Sequence, residues 1–296
     1  MRLSGLRPLL SKRGLGWLSW QLRRRLRYRP AVLEALLADL AETAPDQIAI
    51  TGDLTQISLD QEFVEAAAWL VRVGLPERVS AIPGNHDAYV PVSSDRGWSH
   101  WSEYLRSDRS AAAFRGDVGE LFPTVRLRAG LAIVGVCTAQ PTPPFVASGR
   151  VGAEQLARLD GVLEQLGAAG LCRVLMIHHP PVPGVTSKRR SLRDASAFGE
   201  VLRQRGAELV LHGHLHRTTV GALPGPAGPI PVVGVPSASH AGPQPERCAA
   251  YHLYDITGAR GQFSIRYRVR AYDPATGRFA ARGPEAGLPL AGDGPA

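Results

Sequence analysis

Apolar residues fall three and four apart from Pro30 to Thr43 (PAVLEALLADLAET). Leu33, Leu36, Leu37 and Leu40 mark one face of a helix opened by proline in its first turn. A short β-rich run at 47–54 follows at once. A second helix is predicted over Asp60–Val73, capped by Ser58 or Asp60, and a second short strand over 78–83. Beyond a short helix at 98–105, residues 124–138 read as two strands turning at Ala129 and Gly130. Helix 152–166, strand 172–177, helix 191–205 and strand 208–211 continue the alternation. After that the pattern predicts only strands, at 231–235, 251–256 and 262–271, the last two joined by a turn at 257–261. Strands alternating with helices and then running on alone predict an α/β layered domain whose sheet becomes antiparallel toward the C-terminus.

Two ends of the chain depart from this pattern. Residues 273–296 contain five Gly, four Pro and six Ala among 24 positions and offer no periodic apolar face, so a disordered or loosely attached tail is expected there. Residues 1–29 carry nine of the 34 Lys and Arg and no acid, leaving 25 basic and 26 acidic groups in the remainder. The net charge of +8 is therefore an N-terminal property. A pI near 9.9 does not make the body a nucleic-acid binder, and no specific nucleic-acid partner is expected. The chain divides into a basic segment 1–29, a domain 30–272 and a Gly/Pro/Ala-rich tail 273–296. No apolar stretch approaches the roughly 20 residues that cross a bilayer, and no signal peptide is legible, so a soluble cytoplasmic protein is expected. Three scattered cysteines, Cys137, Cys172 and Cys248, read as buried reduced thiols and not as a disulfide framework.

Six of the nine histidines lie in three short segments, each just after a predicted strand: Gly84-Asn85-His86-Asp87, His178-His179-Pro180-Pro181 and His212-Gly213-His214-Leu215-His216. Gly52-Asp53-Leu54-Thr55 has the same placement with a carboxylate. Ligand sites of open α/β sheets lie beyond the carboxyl ends of strands, so four such motifs are expected to converge. A carboxylate, an amide oxygen and imidazoles without cysteine suit a divalent ion such as manganese, iron, cobalt, nickel or zinc, and not a structural zinc site.

GD, GNHD, HHPP and GHLH, in this order and spacing, resemble the calcineurin-like metallophosphoesterases, most closely their bacterial cyclic-nucleotide and glycerophosphodiester phosphodiesterases. The resemblance covers roughly residues 30–272. It implies a four-layer αββα sandwich of two mixed sheets holding two divalent metal ions (Mn, Fe, Zn or Co). By that resemblance Asp53 bridges both ions, Asn85, His178 and His214 complete the second site, and His216 binds the first. His86 then donates a proton or hydrogen bond to the phosphoryl or leaving oxygen, and Asp87 orients its other ring nitrogen. The implied reaction is hydrolysis of a phosphomonoester or phosphodiester small molecule by a metal-bound hydroxide, in line, between ions about 3.5–4 Å apart.

The family pattern opens with an Asp-x-His at the end of a first strand, and no Asp or His precedes Asp39 here. The first strand is thus expected to be missing and the first ion to have only Asp53 and His216. Two readings follow: an enzyme whose Met1 is an internal methionine, or a degenerate member acting as a non-catalytic binding module. His179, His212 and His240 are candidate substrate contacts, with hydrogen bonding to neighbouring backbone as the alternative for the first two. In residues 15–29, Leu15, Leu18, Leu22 and Leu26 would share one helical face beside arginines. That is the form of a helix lying on an acidic membrane surface or meeting a polyanion, or of one packed on its own domain.

Overall fold

A computed structural model describes residues 11–24, 26–93, 96–115, 121–242 and 247–288. The helices are α1 (Lys12–Ser19, running into a π-helical turn Trp20–Arg24), α2 (Pro30–Thr43), α3 (Asp60–Val73), α4 (Ser102–Leu105), α5 (Ala112–Arg115), α6 (Ala153–Ala168) and α7 (Ala195–Arg205). The strands are β1 (Ile48–Ile50), β2 (Val79–Ala81), β3 (Thr124–Arg128), β4 (Leu131–Val136), β5 (Cys172–Ile177), β6 (Leu209–His212), β7 (Thr219–Pro224), β8 (Pro229–Gly234), β9 (Ala250–Ala259), β10 (Gln262–Asp273) and β11 (Arg278–Gly287).

Six strands form one sheet in the order β3-β4-β5-β6-β8-β7. The four inner strands are parallel, and β3 and β7 are antiparallel at the edges. The inner strands are near-continuous apolar runs, such as CRVLMI in β5, because both faces are covered. On one face Leu159, Leu163 and Leu166 of α6 and Phe198 and Leu202 of α7 pack on Val134, Leu175 and Val210. The other face carries two smaller sheets, the parallel pair β1-β2 and the antiparallel order β11-β10-β9. Ile82 meets Ile133 and Met176 beneath the first, and Ile265 meets Val174, Leu209 and Leu211 beneath the second. Outside them, α3 sets Phe63 and Leu70 on Val79 and Ala81, while α2 sets Val32 and Leu36 on Phe279. Helices, sheet, sheet and helices give the expected αββα layering.

The expected tail is in part a strand. β11 pairs antiparallel with β10 from Asp273↔Arg278 to Arg266↔Gly287, and Phe279 and Leu288 are buried. A backbone ladder needs an edge to pair with more than it needs apolar side chains, so low apolar content hid this element. Gly283, Pro284 and Glu285 fall in an irregularity opposite Arg268, where the missing N–H of proline interrupts no ladder bond. Residues 289–296 of the expected tail lie outside the described residues. The edge strand β7 was not predicted, because only Leu223 along it is buried and no alternation marks it. Neither expected cap of α3 is used. Leu59 occupies the N-cap, and Glu62 accepts the N–H groups of Ile57 and Leu59 at 3.0 Å each.

Candidate metal centre

The four motifs stand on loops at the carboxyl ends of β1, β2, β5 and β6, as parallel strand order requires. Asn85 Oδ1 lies 3.0 Å from His178 Nε2 and 2.8 Å from His214 Nδ1, and Asp53 Oδ1 lies 3.5 Å from the same His178 Nε2. Asn85, His178 and His214 are all buried.

The hydrogen bonds fix what faces the centre. His178 Nδ1 lies 2.7 Å from the carbonyl oxygen of Thr51, which can only accept, so Nδ1 carries the proton. Nε2 then faces two oxygens, Asn85 Oδ1 and Asp53 Oδ1, that are themselves acceptors. The second ring nitrogen of His214, Nε2, is buried without a hydrogen-bond partner. Buried polar atoms are almost always paired, and a cation at this point would satisfy the orphaned nitrogen together with the neighbouring oxygen and imidazole donors. The donor set fits a divalent ion held by Asn85, His178, His214 and Asp53.

Electrostatics agree with this assignment. Burial pushes the His214 imidazole far below its usual range, reinforced by His178 and His179, and so leaves it neutral. Burial raises the Asp53 carboxyl, but the fields of His178 and His86 and the N–H of His86 at 2.9 Å outweigh it and hold the group ionised.

The loops are locked by close approach. A Cβ on Gly84 would sit 2.2 Å from Asp53 Oδ1, so only glycine lets the two loops meet. Gly52 has φ +100°, and left-handed backbone recurs at three functional positions, Asp53 (φ 62°), His214 (φ 66°) and His216 (φ 53°).

Several expected roles change in place. Asp87 does not orient His86. It is fully buried, and its carboxylate accepts the N–H groups of Gly84 and Asp53 at 2.8 Å and of Thr55 at 2.7 Å, tying the two loops together. Burial and then the neighbouring Asp53 push this carboxyl up to about 7. His86 is oriented instead by the carbonyl of Gln56, 2.5 Å from its Nδ1, and by stacking on Tyr89. His179 lies close enough to His178 and His214 to share an ion with them, yet both its nitrogens are engaged. Nδ1 meets Thr138 Oγ1 at 2.7 Å and Nε2 meets the Ala147 carbonyl at 3.1 Å. His212 is likewise spent on the Gly213 carbonyl and on Thr219 Oγ1. Both rings are thus held by neighbouring backbone carbonyls and threonine hydroxyls, which matches the hydrogen-bonding alternative for these two histidines.

His216 stands apart from the buried cluster, with Nδ1 3.1 Å from the hydroxyl of Tyr28. His240 lies against the same tyrosine, edge-on at 5.4 Å, and donates no ring to the cluster. Tyr28, Thr51 and Thr138 were not singled out from sequence. Two of them act next to a motif through a backbone carbonyl or a hydroxyl, and neither role leaves a residue-type signature. Trp98 anchors the Gly84–Asp87 loop by donating Nε1–H to the Asp87 carbonyl.

Comparison with known proteins agrees with this picture. The calcineurin-like phosphoesterase family matches residues 28–218. A probable cyclic nucleotide phosphodiesterase of Synechococcus sp. is 27% identical over 225 residues, 75% of this chain and 76% of that protein. A probable cyclic nucleotide phosphodiesterase of Rhodococcus erythropolis is 28% identical over 267 residues, 85% of this chain and 80% of that protein. A cAMP/cGMP dual specificity phosphodiesterase of Mycobacterium tuberculosis is 30% identical over 185 residues, 59% of this chain and 50% of that protein. In fold, a dimetal phosphatase from Danio rerio superposes with a TM-score of 0.58 at 13% identity, covering 89% of this chain and 91% of the other.

Proposed function

The chain belongs to the calcineurin-like phosphoesterase family of hydrolases, and on that premise we propose that it cleaves a phosphodiester of the cyclic-nucleotide type. The observation that carries the reading is the meeting of Asn85 Oδ1 with His178 Nε2 and His214 Nδ1, beside a His214 Nε2 that is buried without a hydrogen-bond partner. A divalent ion, of which manganese, iron, zinc and cobalt suit these donors, supplies Lewis acidity toward a phosphoryl oxygen and lowers the pKa of water.

The protein's own groups do the positioning. Thr51 holds the His178 ring in the tautomer that ligates, and Asp87 holds the Asp53 and Gly84 loops in register. The Gln56 carbonyl accepts a hydrogen bond from Nδ1–H of His86 and so leaves its Nε2 for the substrate. There the imidazolium form donates to the phosphoryl or leaving oxygen. By the family resemblance His216 and Asp53 would be the donors to the other ion, and if Tyr28 accepts from His216 Nδ1, Nε2 would be the ligating atom.

The test uses bis(p-nitrophenyl) phosphate and 3′,5′-cyclic AMP with added Mn, together with elemental analysis of the purified chain. Asn85→Ala and His214→Ala are expected to lower kcat/KM about a hundredfold or more and to lose bound metal. A parent chain that carries no metal after incubation with Mn, or variants as active as the parent, would sink the proposal.

A further inference from the structure

The segment 12–29 lies across the mouth of the site as a strap. At one end Lys12 Nζ donates to the Thr142 carbonyl at 2.9 Å and sits 4.2 Å from the centre of the Tyr89 ring, the ring that stacks on His86. Arg13 donates to the carbonyls of Ile57 and Ser58. At the other end Tyr28 meets His216 and His240, the Arg27 carbonyl accepts from Ala241 N, and Arg29 N donates to the Ser239 carbonyl. Gly16 is seated so closely that a Cβ there would come 2.5 Å from Ile57 Cγ2. The inner side of the strap is therefore committed to the protein.

Its outer side is not. Leu15, Leu18, Leu22 and Leu26 are 48%, 49%, 72% and 74% exposed. Leu15 and Leu18 lie in α1, Leu22 in the π-helical turn and Leu26 in the turn beyond it, so exposed leucines recur along the length of the strap. Four of the ten large apolar side chains found exposed among the described residues are in this one stretch, so the set is not the ordinary scatter of surface leucines. Residues 1–29 carry nine basic side chains and no acid, in a protein otherwise close to neutral. No helix among the described residues is long and apolar enough to cross a membrane.

We propose that the outer face of this strap docks on an anionic lipid surface, its four leucines entering the headgroup and acyl boundary, so that the mouth of the site lies against the membrane. A helix of this kind binds by burying a modest apolar face while basic neighbours are drawn to anionic headgroups. A protein partner is selected by paired charges of both signs, whereas a stretch with basic groups only suits a surface that is anionic throughout. The inference does not depend on the phosphoesterase reading, since its readout is binding.

The experiment is vesicle flotation with the full chain, comparing phosphatidylcholine alone with phosphatidylcholine containing phosphatidylglycerol. Binding is expected only to the anionic vesicles and is expected to weaken with added salt. The double variant Leu18→Asp/Leu22→Asp changes two exposed side chains, so its unfolding midpoint should match that of the parent. Its vesicle affinity should drop about a hundredfold or more. A second variant, Leu22→Trp, keeps the apolar set and should bind at least as well as the parent. The proposal is overturned if the parent leaves anionic vesicles unbound or if the aspartate variant binds them undiminished. It is equally overturned if soluble polyglutamate is bound as tightly as the vesicles, which would mean an acidic protein partner.

Discussion

Asp87 stands within the GNHD motif, where the family resemblance suggested a partner for His86, but its oxygens are spent on four backbone N–H groups from two loops. That difference has a measurable consequence. In Asp87→Asn the amide nitrogen cannot accept, so at least one buried N–H loses its partner, at a cost of about 1–3 kcal/mol. Urea unfolding above the pH at which Asp87 titrates, about 7, should show that loss, and hydrolysis should fall with it because Asp53 is no longer held. An unchanged unfolding midpoint would show that the tether is not needed. The meeting of Asp53, Asn85, His178 and His214 was legible residue by residue, since each follows a strand that the motifs place at one sheet edge. The tautomer-setting partners were not, because a carbonyl such as that of Thr51 or Gln56 belongs to every residue alike.

Elements were legible in proportion to the periodicity of their burial. The helix read over Pro30–Thr43 and the strand read over Cys172–Ile177 have the observed bounds, because each buries a regular apolar set. β7 and β11 escaped because they bury one or two side chains each and are held by the ladder to a neighbour. β11 nonetheless covers one side of the three-stranded sheet, and Phe279 is its anchor under Val32 and Leu36 of α2. Phe279→Ala should cost about 3–5 kcal/mol, read as a lower denaturant midpoint. A change well under about 1 kcal/mol would mean that β11 contributes little to α2 packing.

For the whole molecule, pH acts through buried histidines. Burial lowers His212 and His252 to about 4, and His179 to about 3, whereas an unfolded chain titrates near 6.5. Between those limits the unfolded state binds more protons. Stability from these groups is therefore full above about pH 6.5 and is lost as pH falls toward 4. The raised carboxyls of Asp87 and Glu62 act in the opposite sense, so the cleanest test isolates one imidazole. In the metal-free chain, His252→Gln should narrow the stability difference between pH 7 and pH 5 by about 1–2 kcal/mol. An unaltered difference would mean that this ring titrates in the fold as it does in the unfolded chain. At this scale the run of strands and helices predicted only an α/β layered domain, and the four-layer order came from the family resemblance. The strap across the site did not, because residues 15–29 fit a helix against solvent, lipid or protein equally well until their neighbours are known.

Asp53, His214 and His216 each hold a left-handed backbone that costs an ordinary L residue about 1–3 kcal/mol. Glycine or asparagine would relax that strain wherever the side chain had ceased to matter. A lineage drifting free of its chemistry would settle into those residues first, since doing so gains stability and loses nothing. This chain still carries an acid and two imidazoles at the three strained points. At these three points backbone geometry and donor chemistry therefore make opposing demands on the side chain.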